Sequence, residues 1–237
     1  TGLPQIDFRI VDSITDPPGR EAFATETLLR MPGCFVCFKA DSIEVVRHRA
    51  SGPPTFGSFN SAAKITPTTI DLWASVLRAI PDSRLLLKAR GLDDPFVASP
   101  IFDSFLARGI SADRIELLAR IEDSRGHLAL YGEIDVALDT FPYHGTTTTC
   151  EALSMGVPVV SLEGDAHRSR VGASLLAASA AMRSSNLEEF VTLAVSTLSS
   201  EQSSQERRSR LDDRLIDGPS FADSFGQLIG SAGDMAR

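Results

Sequence analysis

Short, continuous apolar runs that alternate with helical patterns constrain this chain most. "RLLLKA" lacks the polar alternation of a half-exposed strand, "VPVVSL" reads as another buried strand, and "RIELLA" and "DVALDT" are strands between helices. Such runs suit a parallel sheet covered on both faces. Between them the apolar residues recur at helical spacing. In "ITPTTIDLWASVLRAI", Ile70, Trp73, Ala74 and Leu77 fall on one face, Thr66 suits the N-cap and Pro67 the first turn. Helices are also expected over 96–108, 124–131 and 146–155, and in "RSRVGASLLAAS" and "LEEFVTLAVSTL". Two more are expected, in the polar "SSEQSSQERRSRLDDRL" and in a final segment holding Phe221, Phe225, Leu228 and Ile229. This alternation implies βαβ units and a Rossmann-like, doubly wound parallel sheet of the α/β class.

The beginning of the chain is less regular. A strand is expected over 6–11, a helix over 20–29 and a buried strand in "CFVCFK". The stretch 41–54, with Gly52, Pro53 and Pro54, reads as a loop or linker, with His48 solvated in it. "TFGSFN" then opens the regular pattern. The expected division is therefore 1–50 and 51–237.

Composition excludes some functions. Among 237 residues there are 23 Lys and Arg against 31 Asp and Glu, a net charge of −8. That balance argues against non-specific nucleic-acid binding and against an anionic membrane surface. No apolar run has the length of a membrane-spanning helix. The three cysteines suggest no disulfide framework and fit a reducing cytoplasm. Cys34 and Cys37 form a C-x-x-C, but no second ligand pair or following helix start supports zinc or redox chemistry. The chain opens on Thr1, which suggests a piece of a longer protein.

The stretch "LDTFPYHGTTTTCEALSMGVPVVSL" carries the chemistry. A strand ends near Asp139, and a helix begins near Thr146. Ligands of doubly wound sheets sit at such strand ends. The first N–H groups of a helix lack intrahelical partners, and its dipole favours an anion. Gly145 permits close backbone approach, and Thr146, Thr147 and Thr148 add hydroxyls, so the segment can cradle a diphosphate. Glu151 lies four residues after Thr147, on the same helix face, where it can accept from ribose hydroxyls. The residues alone leave a second reading open, in which the threonines cap the helix and Glu151 is solvated. Neither a Walker loop nor a G-x-G-x-x-G occurs in the right context.

Several long segments, in order, resemble the SPINDLY and O-GlcNAc transferase family of protein glycosyltransferases. They are "GLPQIDFRIVDSITDP", "TFGSFNSAAKITPTTIDLWASVLRAIPDSRLLLK", the threonine segment, "HRSRVGASLL" and "DGPSFA". The resemblance implies a GT-B fold, two Rossmann-like lobes around a cleft. The chain would be its C-terminal lobe, 51–237, preceded by the tail of the N-terminal lobe, 1–50. It implies inverting, metal-independent transfer of a sugar to Ser or Thr of acceptor proteins. The donor would be UDP-GlcNAc or, as in SPINDLY itself, GDP-fucose. No further cofactor is implied, and no D-x-D motif is present.

The resemblance also implies residue roles. Lys64 falls on the family's catalytic lysine. Ser61 stands where the O-GlcNAc branch has a glutamine that touches the phosphates. His127 falls on a histidine near the base. Thr146, Thr147 and Thr148 fall on diphosphate contacts, and Glu151 replaces a ribose-binding aspartate. Ser124 stands where animal enzymes have a nucleotide-contacting lysine. His167 and Arg170 would line the cleft; His144 has no family support. Acceptor proteins would bind through an N-terminal region outside this chain, which alone would bind nucleotide weakly and not turn over. The rival readings are a non-catalytic nucleotide-sugar-binding lobe and an epimerase or other GT-B enzyme acting on a small glycan.

Overall fold

In the computed structural model, which describes residues 2–39, 52–177, 183–199 and 213–235, the apolar runs form one parallel sheet. Two strands precede it: β1 (Phe8–Asp12) and β2 (Thr27–Met31) pair in parallel, Phe8 opposite Thr27 and Asp12 opposite Met31. The large sheet holds β3 (Thr55–Ser58), β4 (Arg84–Lys88), β5 (Ile115–Leu118), β6 (Val136–Leu138), β7 (Val159–Leu162) and β8 (Arg183–Ser184). Its order is β5-β4-β3-β6-β7-β8. The chain starts at the centre, winds out to β5, then returns to the other side of β3. The winding reverses between β3 and β6, and this is the switch point where open α/β sheets bind ligands.

The connecting helices are α1 (Pro67–Ala79), α2 (Pro95–Leu106), α3 (Ser124–Ala129), α4 (Thr147–Ser154), α5 (Val171–Leu175) and α6 (Leu187–Leu198). A last helix spans Gly218–Met235. The expected cap of α1 is present: Thr66 Oγ1 accepts from Thr69 N at 3.1 Å, with Pro67 in the first turn. Leu85, Leu87 and Val136 pack with Trp73, Leu77 and Phe190 on one face of the sheet. Leu86, Ala137 and Val159 pack with Tyr131, Met155 and Leu176 on the other. Both faces are buried, which is why these strands read as unbroken apolar runs. No described helix is long and apolar enough to cross a membrane.

Two expectations near the start are overturned. The helix over 20–29 is absent; Glu21–Phe23 is a single 3-10 turn and Thr27–Met31 is strand. Pairing with β1 satisfies this backbone and buries Leu28, Leu29 and Met31, which outweighs a weak helical preference. "CFVCFK" is not a strand. Phe35 N donates to Asp12 Oδ2 at 3.1 Å and Phe38 N to Leu215 O at 2.6 Å, so its backbone is held by scattered partners instead of a ladder. Cys34 is buried but Cys37 is exposed. The two-residue strand β8 was too short to read from pattern. The expected boundary near residue 50, His48 and the polar stretch 200–212 lie outside the described residues.

Segment 2–39 is tied to the lobe by polar contacts around Asp12 and Asp16. Ser174 Oγ donates to Asp12 Oδ2 at 2.5 Å, and His167 Nδ1 lies 2.5 Å from Asp16 Oδ2.

Candidate functional site

The loop from Asp139 to Thr146 joins β6 to α4 at the switch point, and buried bonds set its shape. Asp139 is 3% exposed; Oδ1 accepts from Thr140 N at 2.9 Å and Gly145 N at 2.7 Å, and Oδ2 accepts from Ser161 Oγ at 2.9 Å. From α1, the hydroxyls of Thr66 and Thr69 each donate to Phe141 O at 2.7 Å. Trp73 Nε1 donates to Asp139 O at 3.1 Å. The Phe141–Pro142 peptide is cis.

His144 is fully buried in this loop. Its Nδ1 accepts from Gly172 N at 2.9 Å, so Nε2 carries the hydrogen and donates to Leu162 O at 2.9 Å. With Nδ1 bare, its 3.8 Å approach to Asp139 Oδ2 is not an ion pair. This histidine is a structural strut, and its carbonyl holds the key cation.

Lys64 reaches that carbonyl. A 3-10 turn, Ala62–Lys64, follows β3, and Lys64 Nζ donates to His144 O at 2.7 Å. The ammonium also lies 4.1 Å from the centre of the Tyr143 ring. Among the described residues no carboxylate lies within 4.0 Å of it. Burial lowers its pKa below that of an ordinary lysine, and the charge of Asp139 opposes part of that shift. A half-buried cation, short of a counter-ion, therefore stands beside the start of α4.

The threonine block divides its work. Thr146 is the N-cap residue of α4, yet no side chain caps the helix. The simple capping role is therefore not what its hydroxyl performs, and the first-turn N–H groups keep their anion-binding capacity. Thr146 is half-buried and Thr147 exposed. Thr148 Oγ1 donates to Asn60 Oδ1 at 3.0 Å, tying α4 to the end of β3, and Thr149 is buried.

Gly145 is needed for close approach. A Cβ there would meet Thr148 Oγ1 at 2.5 Å, Thr149 Oγ1 at 2.8 Å and Asn60 Oδ1 at 3.0 Å. Gly145→Ala is expected to cost about 1–3 kcal/mol of stability and to weaken nucleoside diphosphate binding. Denaturant unfolding and calorimetric titration check this; a variant equal to the parent in both would refute the packing argument.

Glu151 sits one turn along α4. Its Oε2 lies 3.0 Å from His127 Nε2 and accepts from Tyr131 OH at 3.3 Å. Burial, followed by the Glu151 charge, raises the Tyr131 pKa, so its hydroxyl stays a donor. Lys88 Nζ bonds His127 Nδ1 from the other side. Beside this chain opens a cleft of about 320 Å³, lined in part by Ser61, Lys88, Arg90, Arg120, Ser124 and His127.

The fold thus gathers Ser61, Lys64, His127, Gly145, Thr146, Thr147, Thr148 and Glu151 around the ends of β3 and β6. Arg170 does not join them. Its Nε donates to Ile14 O at 2.7 Å, and its Nη1 to Gly164 O at 3.2 Å and to Glu163 at 2.6 Å. The bond to Ile14 fastens segment 2–39, as His167 does through Asp16, and the three contacts occupy Nε and Nη1 of the guanidinium. Sequence reasoning missed Asn60, Lys88, Tyr131 and Asp139. Lys88 and Asp139 lie at or just past a strand's carboxyl end, the one signal that could have flagged them. The Cys150 thiol is pushed up to about 12, chiefly by burial, so it is no nucleophile.

Residues 51–223 match Glycosyl transferase family 41. The chain is 40% identical to the probable UDP-N-acetylglucosamine–peptide N-acetylglucosaminyltransferase SPINDLY of Arabidopsis thaliana, over 94% of this chain and 26% of that protein. It thus spans about a quarter of that relative's length. A mutant O-GlcNAc transferase of Thermobaculum terrenum superposes with a TM-score of 0.84 at 35% identity, covering 99% of this chain and 45% of that one. The sucrose-phosphate synthase of Thermosynechococcus elongatus shares the fold, with a TM-score of 0.65 at 16% identity over 98% of this chain and 60% of that one. Its parallel sheet is that of a GT-B catalytic lobe, and the chain belongs to glycosyl transferase family 41.

Proposed function

We propose that this chain is the donor-binding lobe of a protein O-glycosyltransferase that moves N-acetylglucosamine from UDP-GlcNAc to Ser or Thr of acceptor proteins. The observation that carries this reading is the meeting of Lys64 with the uncapped start of α4 at His144 and Gly145. The names of the relatives support the donor and the acceptor class. In the reaction, an acceptor hydroxyl attacks the anomeric carbon from the side opposite the diphosphate. The bond from that carbon to the phosphate oxygen breaks, and its electron pair leaves with UDP. The hydroxyl proton passes to a base on the acceptor side.

Charge then builds on the leaving diphosphate, and fixed dipoles and cations stabilise it best when they need no rearrangement. Lys64 and the first N–H groups of α4 supply that field, with Thr146, Thr147 and Thr148 beside them. Glu151 takes the ribose, and His127 and Ser61 face the nucleotide. Segment 2–39 serves as the tail of the preceding lobe, and acceptor proteins engage the protein outside this chain. The cytoplasmic setting in this reading rests on cysteine usage, three residues and so an odd number.

The test uses the full-length protein. Calorimetric titration is expected to show UDP bound more tightly than GDP, and mass spectrometry of incubated proteins to show an added N-acetylhexosamine. GDP much the tighter, with an added deoxyhexose, would replace the donor by GDP-fucose. No added sugar on any protein would overturn the transferase reading.

A further inference from the structure

Lys88 is a costly residue that the proposed transfer leaves without a task. It ends β4 and is 6% exposed. Among the described residues no carboxylate lies within 4.0 Å of its ammonium. Instead Nζ bonds His127 Nδ1 and lies 5.2 Å from the centre of the Phe59 ring. Buried cations without a direct partner are expensive, and burial does lower the pKa of this one, with Glu151 opposing.

The bonding order defines the hydrogens. An ammonium has donors only, so His127 Nδ1 must accept and carry none. The hydrogen of the neutral ring then sits on Nε2 and is donated to Glu151 Oε2 at 3.0 Å. Tyr131 OH donates to the same oxygen at 3.3 Å. Both protein donors thus converge on Oε2, and no hydrogen bond within the described residues uses Oε1. A carboxylate held by one oxygen offers the other, pre-aimed, to a ligand with hydroxyls.

We propose that Lys88 is a positioning residue for the nucleotide: it locks His127 in the Nε2–H tautomer, and His127 in turn holds Glu151 with Oε1 left for the ribose hydroxyls. This rests on the donor-binding reading given above. The relay belongs to the ligand-free protein, so the site is built before the nucleotide arrives and loses less freedom on binding.

Two measurements on the full-length protein test it. The first needs no nucleotide: nitrogen NMR of labelled histidine is expected to show His127 with a bare Nδ1, a preference that Lys88→Met abolishes. A hydrogen on Nδ1 in the parent protein, or an unchanged ring in the variant, overturns the relay. The second is calorimetric titration with UDP. Lys88→Met is expected to lose about ten-fold in affinity, and the loss should vanish when Glu151→Gln is already present. A merely structural lysine would instead give additive losses, which overturns the proposal. If the parent binds neither UDP nor GDP, the donor-binding reading falls, while the ligand-free spectrum still decides the relay.

Discussion

Lys64→Met is expected to lower turnover by about 10²–10³-fold while leaving the protein folded. Methionine keeps most of the apolar stem and is one atom shorter, so the surrounding packing changes little. What disappears is the charge, together with its bond to His144 O and its contact over the Tyr143 ring. In the proposed transfer that charge matters most when the diphosphate leaves, so the loss is expected in kcat more than in nucleotide affinity. Sugar transfer to acceptor proteins, followed by mass spectrometry, reads the first quantity, and UDP titration reads the second. Turnover within a few-fold of the parent would remove Lys64 from the reaction. The pH profile adds a check on sign. Burial lowers the pKa of Lys64, so the charged form is lost at a lower pH than for an ordinary lysine. Activity should be full on the acid side of that pKa and fall as pH rises through it.

Asp139→Ala is expected to produce the largest loss of stability among single changes in the loop. The carboxylate is nearly inaccessible and accepts from Thr140 N, Gly145 N and Ser161 Oγ. Alanine leaves these donors without a partner in a site that admits little water. Each buried orphan costs on the order of 1–3 kcal/mol, so a total of about 3 kcal/mol or more is expected. Denaturant unfolding measures it, and a loss below about 1 kcal/mol would show that the loop rearranges freely. Asp139→Asn separates shape from charge. It keeps an acceptor for the loop amides but removes the negative charge that supports the Lys64 ammonium. The alkaline limb of the activity profile should therefore shift to lower pH in Asp139→Asn. An unmoved limb would disconnect the two residues.

Much of the lobe was legible because its signals are local. Thr66 and Pro67 mark the start of α1, and Ile70, Trp73, Ala74 and Leu77 mark its buried face. Leu85–Leu87 in β4 and Val159–Val160 in β7 are consecutive apolar residues because helices cover both faces of the sheet. Segment 20–31 misled for the opposite reason. Its local preference is weak, and the pairing of β2 with β1 is decided by a strand some twenty residues away. The C-x-x-C run misled likewise, since Cys34 is buried by packing near Val171 and Leu175 and not by membership of a sheet.

A parallel α/β lobe, the strand-to-helix turn with Gly145 and the threonines, and Lys64, His127 and Glu151 as candidates can all be read from the amino acids in order. Each rests on spacing along the chain or on the long resemblance. Which groups those residues serve follows from the three-dimensional packing. It placed Lys64 on the carbonyl of His144, 80 residues away. It gave Thr148 to Asn60, Arg170 to the backbone of Ile14, and Glu151 to His127, Tyr131 and, through the ring, Lys88. Hydrogen bonds are directional and short-ranged, so they depend on where strands far apart in the chain come to lie side by side, and periodicity along one segment carries no record of that.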